Sequence, residues 1–353
     1  MNKVILLAPT PPPVGGIAAW TVRMMNATLP NDWRVEVVDE KIIGKREFFG
    51  DKKRLNILLE IKRCNGIWSG LRKALRDKDS TVVHACIAAN TLPVLREYVS
   101  ACITKNRKRK FIIHFRCTVP NIVKGKLNIF ALKILCNKAD CVMLLNKQSE
   151  EYIRNLTKTK SIIIPNFVES NEVVELHNIS DRISRVLYVG GVIESKGCLD
   201  VIEVAKRNPE IEFKLIGKTE AKCVNAANNV PNVVLSGVLS HSEIIEEMKK
   251  ADVFMFLTYF PGEGFSNSLA EAMAAGLPCI VTDWAANKEM IGDEGGVVVP
   301  IHGIEEVCRG LEKLSNVDIR RYYSMNNISK VKREYSETVV QNKYVKCYEE
   351  LLK

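Results

Sequence analysis

A chain of 353 residues is longer than one ordinary core fills and implies two domains. With 46% hydrophobic residues, a mean hydropathy of −0.03 and no apolar run of about 18 residues, it reads as soluble and globular, with nothing that crosses a bilayer as a helix. Eleven cysteines with no C-x-x-C pair suggest neither a zinc site nor a disulfide framework, so a cytoplasmic location is expected. The start, Met1 to Ala8, has too short an apolar core for a secretory signal and reads as a first strand. The net charge of +10 is unevenly held: residues 1–169 carry 30 Lys and Arg against 14 Asp and Glu, and residues 170–353 carry 21 against 27.

Short apolar strands then alternate with helical segments. In the first half, strands are predicted at Val4–Ala8, Val35–Val38, Thr81–Cys86, Phe111–Phe115, Cys141–Leu145 and Ser161–Ile164. This is the pattern of a parallel sheet covered by helices on both faces. The first strand leads into Pro9–Ala18, where Gly15 and Gly16 let the backbone approach a ligand closely before a helix begins. The loop is not the G-x-G-x-x-G of dinucleotide enzymes. Residues 41–78 hold 12 basic and 4 acidic side chains among apolar ones such as Phe48, Phe49, Leu58 and Trp68. That segment fits a solvated helix pair over the sheet and fits equally a surface lying on an anionic membrane. The same charge attracts nucleic acid, but no nucleic-acid module is present and no such partner is expected. Asp77 and Asp79 form a D-x-D in a charged turn before a strand, which reads as solvated rather than metal-binding. His114 closes the fourth strand, and Arg116 follows two residues later.

A second series of strands is predicted at Val186–Val189, Phe213–Ile216, Val233–Leu235, Val253–Leu257, Pro278–Val281 and Gly296–Val299. The two series join near Asn166–Ser184, with the polar stretch Ser170–Asp181 as the expected linker. The fold class is therefore α/β, with two doubly wound, Rossmann-like domains facing a cleft. The expected boundaries are 1–169, a linker 170–183, a second domain 184–334 and a C-terminal helix 335–353. Within Arg185–Gly197, a strand and glycine turn bring Lys196 to a helix entry, where a lysine can neutralise a departing phosphate. The order is Lys-Gly, so this is not a P-loop.

The most specific stretch is Pro261-Gly-Glu-Gly-Phe-Ser-Asn-Ser-Leu-Ala-Glu-Ala-Met-Ala-Ala-Gly-Leu-Pro278. It follows an apolar run, Val253 to Phe260, that reads as a buried strand, and it continues as a helix from about Ser266 to Ala275, stopped by Gly276 and Pro278. Glu263 then sits on the loop at a strand's carboxyl end, with Glu271 further along the helix, beside the crevice where open α/β sheets bind ligands. The amides of Ser266, Asn267, Ser268 and Leu269 are offered to a phosphate, with one carboxylate placed for a sugar hydroxyl and the other for a ribose.

This string closely resembles the E-x7-E signature of retaining, nucleotide-sugar-dependent glycosyltransferases of the two-Rossmann-domain type (the GT-B fold, glycosyltransferase family 4). The resemblance implies a metal-independent, hexosyltransferase-type enzyme of cell-surface polysaccharide biosynthesis, with no cofactor beyond a nucleotide-diphospho-sugar donor. The implied acceptor is a saccharide or a polyprenyl-diphosphate-linked saccharide, handled in the cytoplasm or at the inner membrane face. By resemblance, Glu263, His114 and Lys196 are the catalytic residues. The donor would be met by Gly15, Gly16, Lys196, Lys218, Val238, Ser266, Asn267, Ser268, Leu269 and Glu271, and an acceptor phosphate by Arg116. Asn166 matches the family's interdomain crossover, and the tail after about Tyr335 is expected to pack back on the first domain. One position departs from the pattern: Gly191 stands where relatives usually carry a second diphosphate-binding Arg. That departure keeps open a catalytically impaired nucleotide-sugar binder, and a sugar-nucleotide epimerase shares the same fold.

Overall fold

The structure is a computed structural model that describes residues 2–12, 15–42, 56–77 and 79–353. Among them are two compact units, Met1–Pro165 together with Val340–Lys353, and Asn166–Val339. The basic cluster Lys52, Lys53 and Arg54, with Phe48 and Phe49, lies outside the described residues.

In the first unit the strands are β1 (Asn2–Ala8), β2 (Arg34–Asp39), β3 (Ser80–Ile87), β4 (Lys110–Phe115), β5 (Cys141–Leu144) and β6 (Ser161–Ile163). They form one parallel sheet in the order β2-β1-β3-β4-β5-β6. The intervening helices are α1 (Gly16–Asn26), α2 (Ile57–Ala74), α3 (Thr91–Asn106), α4 (Val119–Ile122), α5 (Gly125–Lys138) and α6 (Lys147–Leu156). The central strands are apolar along their whole length because helices cover both faces: Val4 to Ala8 and Phe111 to Ile113 are fully buried. The order reverses between β1 and β3, so the loops after those strands diverge and leave a crevice at the carboxyl edge.

Two charged clusters are built into this unit. Lys3, fully buried, donates to Asp77 (2.9 Å), Glu36 (3.1 Å) and the Ala74 carbonyl (2.7 Å). Arg34 also reaches Asp77 and Asp79. The D-x-D turn is thus a clamp on the start of the sheet rather than merely a solvated turn. Arg96 of α3 bridges Glu40 (2.7 Å) and Glu97, and burial pushes the Glu40 carboxyl well above its ordinary value despite that arginine. The last helix, α14 (Glu337–Leu352), places Tyr344 and Tyr348 against Trp20 and His84 inside the first unit.

In the second unit the strands are β7 (Arg185–Val189), β8 (Glu212–Ile216), β9 (Val233–Leu235), β10 (Val253–Phe256), β11 (Cys279–Thr282) and β12 (Gly296–Val299). They are parallel, in the order β12-β11-β10-β7-β8-β9. The helices are α7 (Cys198–Arg207), α8 (Ala221–Ala227), α9 (His241–Lys250), α10 (Asn267–Ala274), α11 (Asn287–Ile291), α12 (Ile304–Leu314) and α13 (Val317–Lys330). The switch point falls between β7 and β10. The apolar run Val253 to Phe260 is a strand only as far as Phe256. Beyond it the backbone bonds turn to neighbouring loops: the Tyr259 amide donates to Ser195 and the Trp284 indole donates to Phe260 (2.8 Å). The polar stretch 170–183, read as a linker, packs within this unit and buries Glu172 and His177. Its hydrogen bonds explain this: His177 Nε2 pairs with the Ala251 carbonyl (3.1 Å), the Val174 amide donates to the Ala274 carbonyl (3.0 Å), and the Ser180 hydroxyl donates to Asp252.

Candidate functional site

Because β7 and β10 are neighbours, their following loops meet at the carboxyl edge of the second sheet. The loop after β7 runs through Gly190 and Gly191 into a short 3-10 turn, Glu194–Lys196, and then Gly197. Gly197 has φ +77°, and a Cβ there would lie 2.0 Å from the Leu257 carbonyl oxygen. Only glycine permits this approach, which docks the loop against the end of β10. Lys196 is thereby aimed at the β10 loop, where its Nζ pairs with Glu263 Oε2 at 2.6 Å, both side chains mostly buried. The ammonium also lies 5.2 Å from the Phe260 ring centre and 5.6 Å from that of Phe256, an apolar and aromatic surround that strengthens the pair's electrostatics.

After the Glu263 loop, Ser266 caps α10: its hydroxyl accepts from the Leu269 amide (3.3 Å). Leu269 is therefore engaged by its own cap, and Ala270 bonds back to the Ser266 carbonyl. The amides of Asn267 and Ser268 belong to the first helical turn, which has no intrahelical acceptor for them. Asn166 fixes the turn by donating to Asn267 Oδ1 (2.6 Å) and to the Phe265 carbonyl (3.3 Å). From Leu269 to Ala274 the helix is buried on every side, which is why every second residue there is alanine. Gly276, at φ +78°, ends it where a Cβ would sit 2.7 Å from that of His177.

Glu271, one of those buried side chains, has two neighbours that sequence reasoning did not single out. Glu172 and His241 form an ion-pair geometry with each other, and the ligand atoms of all three lie within 4.8 Å. Glu172 comes from the stretch read as a linker, and His241 opens α9, which is capped by Ser240 with a reciprocal Glu243 bond. Polarity masked Glu172, and no spacing rule ties it to residue 271. Lys218 and Val238 lie on the exposed loops after β8 and β9. Those loops join the same edge: Gly217 donates to the Gly237 carbonyl, and Val192 to that of Lys218. At Gly191 nothing lies within 4 Å of an added Cβ, so the position is open space.

In the first unit, Gly15 caps α1 with extended backbone, and the preceding loop is tied to β2 by Thr10, which donates twice to Asp39. His114 and Arg116 sit at the end of β4 in a closed cluster. Arg116 lies 4.4 Å above the Trp20 ring and 3.4 Å from His114 Nε2. His114 Nδ1 is 3.1 Å from His84 Nε2, and His84 Nδ1 is 2.8 Å from the Tyr348 hydroxyl. A guanidinium only donates, so His114 Nε2 accepts. Its Nδ1–H then donates to His84, which donates in turn to Tyr348. Burial, with Arg116 beside them, holds both imidazoles neutral: His114 is well below its ordinary value and His84 is lowered to about 3. The His114 ring is fully buried among these neighbours. Cys86 lies with the two histidines, but Arg116 beside them and the rings' own hydrogen bonds oppose a cation there.

Residues 177–331 match the model of the family described as Glycosyl transferases group 1. The structure resembles sucrose-phosphate synthase from Thermosynechococcus elongatus, at 16% identity over 99% of each chain and a TM-score of 0.78. It also resembles HepE from Anabaena, solved in complex with UDP, at 13% identity over 99% of this chain and 100% of that one, TM-score 0.75. For the lipopolysaccharide outer core galactosyltransferase WaaB the values are 16%, 99% of each chain and 0.71. At such identities the likeness shows the fold, that of the two-domain GT-B glycosyltransferases. No curated protein sequence matches the chain.

Proposed function

We propose that this group 1 glycosyltransferase of the GT-B fold moves a sugar, with retention of configuration, from a nucleotide-diphospho-sugar to a saccharide or polyprenyl-diphosphate-linked saccharide. The observation that carries the reading is the Lys196–Glu263 pair, 2.6 Å apart, at the switch point beside the capped start of α10. It puts a cation, a carboxylate and helix-end amides within one loop system, as transfer from a diphosphate requires. Glu271, with Glu172 and His241 nearby, would hold the ribose hydroxyls. The Asn267 and Ser268 amides and Lys196 would hold the diphosphate, with the loops of Lys218 and Val238 along the nucleotide. Glu263 would orient the sugar.

As the glycosidic bond loosens, positive charge grows at the anomeric carbon and negative charge on the leaving phosphate. Fixed dipoles and Lys196 stabilise that separation without reorganisation, and the leaving phosphate oxygen can take the acceptor's proton. In this reading the amides and Lys196 do what a divalent cation does in other transferases. His114, through its main chain, would border the sugar near Gly15 and Gly16, its buried neutral ring bracing Arg116, and Arg116 would attract an acceptor phosphate. A role in cell-surface polysaccharide synthesis accords with such an acceptor. UDP is the first donor base to test, since HepE was solved with UDP-glucose.

Release of nucleoside diphosphate from UDP-, GDP-, ADP- and dTDP-sugars tests this, with wild type compared with Glu263→Gln. The amide keeps the shape but neither neutralises Lys196 nor supports positive charge, so turnover should fall by about 10²-fold or more while donor affinity does not weaken, since Lys196 is freed for the diphosphate. Equal turnover in the variant would remove Glu263 from the mechanism.

A second reading, a nucleotide-sugar binder with impaired chemistry, is favoured by one observation, the open space at Gly191. It predicts donor binding without turnover in the same assay.

A further inference from the structure

All eleven cysteines are free thiols, and the proposed transfer uses none of them. Cys141 opens β5 and Cys347 lies in α14, 206 residues later, yet their sulfurs are 3.9 Å apart. Both belong to the first unit, Cys141 fully buried and Cys347 4% exposed. A disulfide holds its sulfurs at about 2.05 Å, so rotation of the two side chains has to close roughly 2 Å.

The surroundings separate this pair from other interior thiols. Burial pushes Cys117, Cys136 and Cys198 up to about 12, which keeps them protonated and unreactive. Cys347 moves the other way: its hydrogen bond with Cys141 lowers it despite burial, and the Lys160 ammonium acts in the same direction. Cys141 is raised by that bond and by burial, so it stays the thiol that donates. Lys160 is half-exposed and pairs at 2.7 Å with Glu350, which lies one turn along α14 from Cys347. A sulfur that ionises beside a cation, with a second thiol in contact, has the features of an attacking and a resolving cysteine.

We propose that Cys141 and Cys347 are a site of thiol modification, joined by a hydroperoxide into a disulfide that staples α14 to β5. The Cys347 thiolate attacks one peroxide oxygen. An S–O bond forms, the O–O bond breaks, and the departing hydroxide takes up the proton that Cys347 gave up. The Cys141 sulfur then attacks that of Cys347, the S–S bond forms and the S–O bond breaks. The second hydroxide leaves as water with the Cys141 proton. Two thiols thereby lose two electrons, and one hydrogen peroxide becomes two waters. Next to Cys347, Tyr348 bonds to His84, and Tyr344 packs on Trp20. The cross-link therefore fixes the helix that closes the cluster of His84, His114 and Arg116, and it constrains a long loop of the unfolded chain. None of this depends on the transfer reading.

The test is peptide mapping of the full chain, treated with dithiothreitol or with hydrogen peroxide added until the partly exposed Cys308 is modified. Remaining thiols are alkylated and the protein is digested without reduction. Trypsin releases residues 139–147 and 347–353, each with one cysteine. The peroxide sample should contain the two peptides joined, two hydrogens lighter than their sum, and the dithiothreitol sample should contain them apart. The melting temperature of the peroxide sample should rise by roughly 5 °C or more and fall back on reduction. In Cys141→Ala and Cys347→Ala, each compared with its own untreated sample, peroxide should give no such rise. Modification of Cys308 with the two peptides still apart would overturn the proposal, and that result needs no variant to fold. So would joining that appears only in urea. Joining without any rise in melting temperature would overturn the stapling of α14.

Discussion

At the scale of single residues, the proposed chemistry turns on which charges are neutralised before a donor arrives. Lys196 is held by Glu263 in a partly buried pair, so in the proposed site a diphosphate would have to compete with that carboxylate for the ammonium. Gly191, one turn earlier on the same loop, has room for a longer side chain. Gly191→Arg should therefore add a charge-assisted contact to the diphosphate, worth about 1.5–3 kcal/mol, and tighten donor binding roughly tenfold or more in calorimetric titration. Unchanged affinity would mean that the Gly191 backbone does not border the diphosphate. Glu263, Lys196 and Glu271 were legible in the sequence because loop chemistry leaves a local signature: glycines, a cap and carboxylates in one string. Glu172 and His241 were not, because proximity between residues 69 apart is set by the way 170–183 folds into the second unit.

At the scale of elements, strands were easier to read than their ends. All twelve occur, since a parallel sheet covered on both faces demands short, wholly apolar runs. The run after Val253 was overextended because Leu257 to Phe260 remain apolar while bonding to loops. The start of α10 was read correctly, but not the Leu269 amide's use by the Ser266 hydroxyl. That cap makes its own prediction. Ser266→Ala should cost about 1 kcal/mol in urea unfolding while leaving the Leu269 amide available to a ligand. A loss much under about 0.5 kcal/mol, the low end for a lost cap, would show that packing alone holds this buried helix.

At the scale of the whole molecule, each unit has its own core, and the first is closed by a helix from the far end of the chain. That closure makes its stability depend on neutral histidines. His84 and His114 are buried with values far below the ordinary 6.5, so below that pH the unfolded chain binds two protons that the native state refuses. Their contribution is complete above pH 6.5 and is lost as pH falls toward their folded values. His177, also lowered by burial, acts in the same direction in the second unit. Between about pH 7.5 and 5.5, the two histidines of the first unit should cost about 2–3 kcal/mol of unfolding free energy, measurable as a falling urea midpoint. A flat profile would show that the native cluster accepts protons.

The most direct test of the central claim is a thermal-shift comparison of wild type and Glu271→Ala with UDP-, GDP-, ADP- and dTDP-sugars at millimolar concentration. A ligand that binds only the native state raises its melting temperature by mass action. The proposed site predicts a shift with one base family, disappearing in the folded Glu271→Ala variant. A shift that survives the substitution, or no shift with any donor, would contradict a nucleotide-sugar site built on α10.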